Sequence, residues 1–128
     1  MPRRLLAAAL LVVAGAAGAD PIEGFWRTLP DDNGTTGLME VAPCGDALCG
    51  TLVRAFDAAG REVAVPNLGR QLLWDTVPHG RGRYEGRVHA PDRDQDYAAR
   101  LRLRGDRLWV SGCVLGICRP GGVWTRVD

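Results

Sequence analysis

Polar and apolar residues alternate with a period of two along much of the chain that follows residue 19. Between residues 84 and 90, and again between 96 and 104, nearly every second residue is apolar or small and the others are mostly charged or polar. Such alternation predicts antiparallel strands that bury one face. Together with the turn signals between these segments, it predicts seven strands, over residues 22–28, 37–43, 48–56, 84–90, 96–104, 107–113 and 122–127.

Helical periodicity is almost absent after residue 19. The strongest turn signals are Asp32-Asn33-Gly34 and Arg104-Gly105-Asp106, which are typical of short hairpin connections. The one plausible helix is a turn or two over Leu68–Asp75. We therefore predict an all-β protein with at most one short helix. Its expected architecture is a small antiparallel up-and-down barrel or rolled sheet of about seven to eight strands.

The first 19 residues have the pattern of an export signal. A basic start at Arg3 and Arg4 precedes the apolar run Leu5–Val13, and Ala17-Gly18-Ala19 supplies the small residues after which signal peptidase cleaves. We predict cleavage after residue 19, which leaves one domain over residues 20–128 that is periplasmic or secreted. No second apolar run approaches the ~20 residues that span a bilayer, so we predict no transmembrane segment in the mature chain.

The basic residues are all arginine. There are 16 of them against 15 acidic residues, and the formal net charge is +1. Without lysine, Schiff-base chemistry and a lysine general base are excluded. Arginine alternates with leucine over residues 100–104, which is typical of a solvated strand face. Because the net charge is near zero and no nucleic-acid-binding motif is present, we expect no nucleic-acid partner.

The four cysteines form two pairs of equal spacing, Cys44 with Cys49 and Cys113 with Cys118. An even number of cysteines in a short exported chain predicts disulfide bonds, and the repeated spacing favours local closure of each pair. The alternatives are long-range pairing, which chain entropy favours, and a zinc site built from all four thiolates. An oxidising compartment argues against the zinc site. We expect two local disulfides and no bound metal.

Both ends of the mature chain carry a tryptophan. Gly24 and Trp26 open the first predicted strand, and Trp124 and Arg126 lie on the last one. The first and last strands become neighbours when a barrel closes, so we expect Arg126 to stack on the Trp26 ring, a contact worth about 0.5–2 kcal/mol. We assign these four residues a structural role. A Gly-x-Trp start combined with a C-terminal arginine is similar to the pattern of lipocalin-like barrels.

Several segments of the chain carry motifs that occur together in one family. They are Gly24-Phe25-Trp26, Cys44-Gly45-Asp46-Ala47-Leu48-Cys49-Gly50, Tyr84-Glu85-Gly86, Ala90-Pro91-Asp92, Val110-Ser111-Gly112-Cys113 and Trp124-Thr125-Arg126. In combination they resemble the exported bacterial family catalogued as domain of unknown function 2147, over essentially all of residues 20–128. The resemblance implies a small exported β-barrel-like protein, comparable with lipocalins, and it implies no established activity or catalytic residue. The family usually turns with a glycine after Pro-Asp, whereas this chain continues with charged residues over 92–96.

Candidate catalytic and metal-binding residues are few. Asp92, Asp94 and Asp96 are spaced like the start of a calcium loop, but the glycine and the glutamate that an EF-hand requires are absent, so we interpret them as a hairpin tip. Ser111 is the only serine and has no G-x-S-x-G setting. The two histidines belong to no paired motif. We predict no catalytic residue, no metal ion and no cofactor, and hence no enzyme.

The aromatic residues offer the most direct indication of a binding site. Side chains alone can fill a small barrel, and we expect a largely filled core, with a ligand cavity as the alternative. The segment Leu68–Asp75 is the expected lid over any such cavity. The residues that we expect to line the site are Leu72, Leu73, Trp74, Tyr84 and Trp109.

The predicted function follows from these features. We expect a non-catalytic binding module of the cell envelope whose ligand is a small apolar or amphipathic molecule. The alternative is a protein-interaction or inhibitor domain that contacts envelope proteins through the loops 44–49 and 113–118. Disulfides would stiffen these loops, and pre-ordered loops lose less entropy on binding.

Overall fold

The computed structural model describes residues 19–128 and is built from β-strands, with no helix in that range. The strands, in chain order, are β1 (Gly24–Arg27), β2 (Thr36–Cys44), β3 (Ala47–Phe56), β4 (Glu62–Val63), β5 (Gln71–Gly80), β6 (Arg83–Ala90), β7 (Gln95–Arg104), β8 (Arg107–Val114) and β9 (Ile117–Val127). Seven of these, all except β4 and β5, correspond to the seven strands predicted from alternation, which are thereby confirmed. The predicted export signal lies, apart from Ala19, outside the described residues.

The strands form a closed antiparallel barrel. The order around the sheet is β2-β1-β9-β8-β7-β6-β5-β3-β4, and a further pairing of β2 with β3 closes it. The two-residue strand β4 pairs only with the end of β3, at Ala55 and Phe56, and stays outside the closed ring of eight strands. Most neighbours in the ring are consecutive in the chain, so the up-and-down architecture is confirmed.

The segment predicted as a short helix is a turn followed by the start of β5. The amide of Arg70 donates to the carbonyl of Asn67, and from Gln71 onward the backbone pairs with β3 on one side and β6 on the other. The run Leu72-Leu73-Trp74 does not alternate, and a short apolar run without alternation is ambiguous between helix and strand. Here the segment pairs with β3 and β6, and these backbone hydrogen bonds stabilise the strand.

The barrel closes where the short strand β1 lies between β2 and β9. Trp26 is fully buried and stands in register with Arg126, whose guanidinium carbon lies 4.3 Å from the centre of the indole. The Trp26 Nε1–H donates to the carbonyl of Ile22 at 2.9 Å, and Arg126 Nη1 donates to the carbonyl of Glu23 at 3.1 Å. Gly24 has a φ of 126°, which favours glycine, and a Cβ there would lie 3.1 Å from Arg126 Nη1.

The two ends of the barrel differ. At one end lie the hairpin turns at 45–46, 81–82 and 105–106, together with the N-terminal segment 20–23. Ile22 is fully buried there, and the hydroxyl of Tyr84 donates to Asp20 Oδ1 at 2.6 Å, so this segment covers that end. At the other end lie the connections 28–35, 57–70, 91–94 and 115–116. We call these the closed end and the open end.

Each end carries one disulfide bond. Cys44 pairs with Cys49 in the β2–β3 hairpin at the closed end, and Cys113 pairs with Cys118 in the β8–β9 hairpin at the open end. Each bond therefore joins the two strands of its own hairpin, and all four cysteines are used. Two disulfides indicate an oxidising environment for the folded protein.

Tyr84 should make stability fall at high pH. Burial, followed by the hydrogen bond and the negative charge of Asp20, raises the pKa of the Tyr84 phenol above its usual range. An unfolded tyrosine ionises near a pH of about 10, so above that pH the unfolded chain loses a proton that the folded chain keeps. The free energy of unfolding is therefore expected to fall as the pH rises past about 10, by up to about 1.4 kcal/mol per pH unit.

Urea denaturation between pH 9 and pH 11.5 measures this effect, each limit being about one to two units from the reference phenol pKa. The chain has no lysine and its cysteines are bonded, so few other groups titrate in the same range. Tyr84→Phe is expected to be less stable at neutral pH and to show a flatter pH dependence. A Tyr97→Phe control should retain the slope of the wild type. An equal slope in wild type and Tyr84→Phe would contradict the assignment.

Candidate functional site

A cavity of about 1120 Å³ occupies the open half of the barrel. Its walls are mainly apolar side chains that point inward from several strands: Met39, Leu52, Leu72, Val88, Val110 and Trp124. Polar groups surround its entrance: Asp31, Asn33, Asn67, Asp92, Arg93, Gln95 and Arg119. An apolar interior with a polar entrance suits a molecule that has an apolar body, with or without a polar end.

The distribution of side-chain size explains why only one half of the barrel is open. The closed half is filled by large buried side chains: Trp26, Leu73, Tyr84 and Leu108. Small residues stand among the cavity walls: Gly37, Ala55, Ala90, Gly112 and Gly121. Because these residues are small, they leave space inside the eight-stranded barrel that larger side chains would fill. The filled core and the cavity, which the sequence presents as alternatives, are both present, at opposite ends.

A histidine with two carboxylate neighbours stands at the cavity entrance. The His89 ring is 4% exposed, and its Nδ1 lies 2.7 Å from Asp96 Oδ1 while its Nε2 lies 3.5 Å from Asp94 Oδ1. Arg70 Nη2 lies 3.4 Å from the same Nδ1. These contacts connect the 91–94 hairpin with the turn that precedes β5. Because the two carboxylates contact opposite ring nitrogens, the three groups do not converge on one point, and residues 19–128 contain no cluster arranged to hold a metal ion.

A second concave region lies on the outer wall of the barrel, where β6, β7 and β8 run side by side. This outer groove has a volume of about 800 Å³, and Trp109 and Ser111 form part of its surface. The remaining side chains around it are mainly charged: His79, Arg83, Glu85, Arg100, Arg102 and Arg104. His79 Nε2 lies 3.3 Å from Glu85 Oε2. The sequence pattern of residues 100–104 indicated an exposed face, but it did not reveal that this face is concave.

The five residues expected to line a single ligand site are distributed over different parts of the barrel. Leu72 lines the open-end cavity, and Leu73 is buried in the core. Tyr84 is buried towards the closed end. Tyr84 and Trp109 both border the outer groove. Trp74 is half-buried and stands in register with Arg87, which is exposed.

The lid of the cavity and the inward-facing residues of its walls could be recognised in part from the sequence. Of the expected lid, Leu68–Asp75, Leu72 lines the cavity. The segment 65–67, which directly precedes the lid, lines the cavity as well. The inward position of Met39, Leu52 and Val110 follows from alternation within their strands. What alternation does not give is which inward residues surround empty space, since that depends on how the eight strands close.

Comparison with solved structures defines the class of the fold. The chain is similar to protein HP1028 from the human pathogen Helicobacter pylori, described as belonging to the lipocalin family, with a TM-score of 0.63, 15% sequence identity and coverage of 83% of this chain and 82% of that one. The protein is therefore a lipocalin-like β-barrel. Residues 24–126 match the family described as "Uncharacterized protein conserved in bacteria (DUF2147)", and the chain belongs to that family. None of the curated proteins matches the sequence.

The structural likeness, at 15% identity, defines the fold, and the family description assigns no activity. Ser111 lies in the outer groove, and the histidine that lines the same groove, His79, is paired with Glu85. Within residues 19–128, no helix is long and apolar enough to cross a membrane.

Proposed function

We propose that the protein is a non-catalytic carrier or sensor of a small apolar or amphipathic molecule, acting in the bacterial cell envelope after export. The observation that carries this proposal is the apolar cavity of about 1120 Å³ at the open end. Ligand pockets in proteins are typically about 300–1,000 Å³, and an eight-stranded barrel has room for one small ligand. The lipocalin-like fold often binds such molecules, which supports the same function.

The form of the entrance favours an amphipathic ligand. Met39, Leu52 and Trp124 would contact the apolar body, since they line the inner part of the cavity. Arg93 and Arg119 stand at the entrance, where they are exposed and can reach a carboxylate or phosphate at the ligand's polar end. A bound molecule would thus lie with its polar end towards solvent.

Two observations support export: the two disulfides, and the contacts of the residues that follow the predicted cleavage point. Asp20, the residue after the predicted cleavage point, accepts the hydrogen bond from Tyr84. Cleavage after Ala19 would therefore keep every contact of the segment 20–23 described above. We include cleavage at this position in the proposal, and N-terminal sequencing of the exported protein tests it.

The test of ligand binding uses a cavity-filling variant and a matched control. Val88 lines the cavity and is half-buried, whereas Val77 is exposed on the outer wall. Val88→Trp is expected to weaken binding of the fluorescent probe N-phenyl-1-naphthylamine by roughly tenfold or more. Val77→Trp should bind the probe as the wild type does, and circular dichroism checks that both variants are folded.

Native mass spectrometry of protein purified from its own periplasm completes the test. We expect a stoichiometric small-molecule adduct that solvent extraction releases and that competes with the probe. A bare protein together with unchanged probe binding in Val88→Trp would overturn the proposal.

A second candidate function has support from one exposed hairpin. In the β8–β9 hairpin, which the Cys113–Cys118 disulfide braces, the exposed fractions of Val114, Leu115 and Ile117 are 56%, 97% and 71%. Exposed apolar side chains on a pre-ordered loop favour docking to a protein. A photo-crosslinking residue at position 115 is expected to capture one envelope protein, and the same residue at exposed position 98 none. Equal capture at both positions would contradict this function.

A further inference from the structure

The outer groove carries more basic than acidic side chains. Four arginines surround it, Arg83, Arg100, Arg102 and Arg104, against the single carboxylate of Glu85, which is paired with His79. All four are exposed, and none of them lies within ion-pair distance of a carboxylate. Within residues 19–128, the arginines that do so are Arg54, Arg61 and Arg126. The groove therefore presents guanidinium groups that are free to bind an anion.

The strand register places some of these like charges directly beside each other. Arg83 is opposite Arg102 on the neighbouring strand, and Arg104 is opposite Arg107, which lies outside the groove, whereas Arg100 is opposite Glu85. Like charges directly opposite on adjacent strands destabilise a sheet. Bound anionic groups would relieve this repulsion, so binding and stability should be coupled at this wall.

Trp109 adds a flat apolar surface among the arginines. It is opposite Arg102 in the β7–β8 pair, is only half-buried, and contributes to the surface of the groove. Ser111, two residues further along the same strand, is opposite Arg100 and offers a hydroxyl. An indole face binds the apolar face of a ring, and guanidinium groups bind carboxylates and phosphates in a bidentate manner.

We propose that the outer groove binds a linear acidic glycan, a chain of sugar rings that carry carboxylate or phosphate groups. Neighbouring strands are about 4.7–4.9 Å apart, and alternate residues on one strand are about 6.6 Å apart, so the charged groups recur at intervals comparable with the length of a sugar unit. A ring stacked on Trp109 would have its acidic groups within reach of Arg102 and Arg100. This site lies outside the barrel and does not depend on a ligand in the cavity.

The shape of the groove argues for a chain over a bilayer. The surface is concave, and Trp109, which is half-buried, forms part of it. A flat membrane contacts projecting residues and would leave the floor of a groove unused. A single extended chain of sugar units could instead lie along this floor.

Isothermal titration of the mature protein with alginate oligosaccharides, which are chains of uronic acids, tests the proposal. Dextran oligosaccharides of equal length serve as the neutral probe, and phosphatidylglycerol vesicles as the membrane probe. We expect alginate to bind, dextran to bind at least roughly tenfold more weakly, and affinity to fall as salt screens the charges.

Two variants and a charge-matched control make the test specific. Arg100→Gln/Arg102→Gln and, separately, Trp109→Ala are each expected to weaken alginate binding by roughly tenfold. The control Arg54→Gln/Arg61→Gln removes the same charge from β3 and the segment after it, away from the groove, and should bind as the wild type does.

Three results would overturn the proposal. They are equal weakening by the control, which would indicate unspecific charge attraction; unchanged affinity in Trp109→Ala; and binding to the vesicles without binding to alginate. Circular dichroism of each variant separates a loss of binding from a loss of structure. Alginate should also raise the melting temperature of the wild type, and raise that of Arg100→Gln/Arg102→Gln by less at the same concentration.

Discussion

Replacing Trp26 with alanine is expected to lower the free energy of unfolding by about 3–5 kcal/mol, the usual effect of truncating a buried aromatic side chain. The indole is fully buried where β1 joins β9, and the substitution also removes its hydrogen bond to Ile22 and the ring on which Arg126 lies. Because small domains are stable by only about 5–15 kcal/mol, this loss is a large part of the total. Urea denaturation of the protein with both disulfides intact measures it.

Trp109→Ala is the matched control for this prediction. Trp109 is half-buried on the outer wall, so the same change of side chain there should cost much less, roughly 1 kcal/mol or below. Similar losses in the two variants would contradict the importance of Trp26 for closing the barrel. If the slope of the unfolding free energy against urea concentration changes in either variant, that change must be separated from the change in stability before the two variants are compared.

A methyl group at Gly86 is expected to destabilise the barrel by about 3 kcal/mol, at the upper end of the usual range for overpacking. A Cβ at this position would lie 2.3 Å from Thr76 Oγ1 and 2.9 Å from both Thr76 Cα and the carbonyl oxygen of Trp74. Two of these three atoms are backbone, so rotation of a side chain cannot relieve the overlap. Instead β5 would have to move away from β6.

Gly112→Ala provides the control for Gly86→Ala. Gly112 is opposite Ala99 on β7, as Gly86 is on the other side of the same residue, and a Cβ there would make an ordinary contact of 3.5 Å with Tyr97. Thermal unfolding should show a melting temperature close to that of the wild type for Gly112→Ala and a strongly reduced one for Gly86→Ala. The prediction fails if the two variants melt together.

The fold was largely predictable because most of its strands have one buried face. Alternation identified β6, β7 and β8, and the Asp-Asn-Gly and Arg-Gly-Asp turns separated neighbouring segments. The strand β5 was missed because its apolar run does not alternate and its pairing with β3 and β6 includes register shifts. Asp75, within that strand, has a φ of 50°, which lies outside the β region. Such an irregularity is not visible in a pattern of alternating residues.

The candidate sites were less predictable, for a physical reason. Alternation puts Trp109 on the strand face opposite to Leu108 and Val110, and it lies at the outer groove, whereas we expected it at one site with Leu72. The same pattern contains no information on which end of a barrel is filled. That property results from large and small side chains on strands distant in sequence, such as Trp26 and Gly112, and it becomes visible only when the ring is closed.

The position of β1 between β2 and β9 has a consequence for how the chain matures. Glu23 and Arg126, which are in contact, are 103 residues apart, and ribosomes make the first of them long before the second. One edge of β1 must therefore remain unpaired until β9 has been made, and contacts of such long sequence separation slow folding. A chain that ends before β9 would expose β1 and β8 as two free edges, each able to pair with another chain. Protection of the newly made chain from aggregation is thus needed until the eleven residues of β9 have been added.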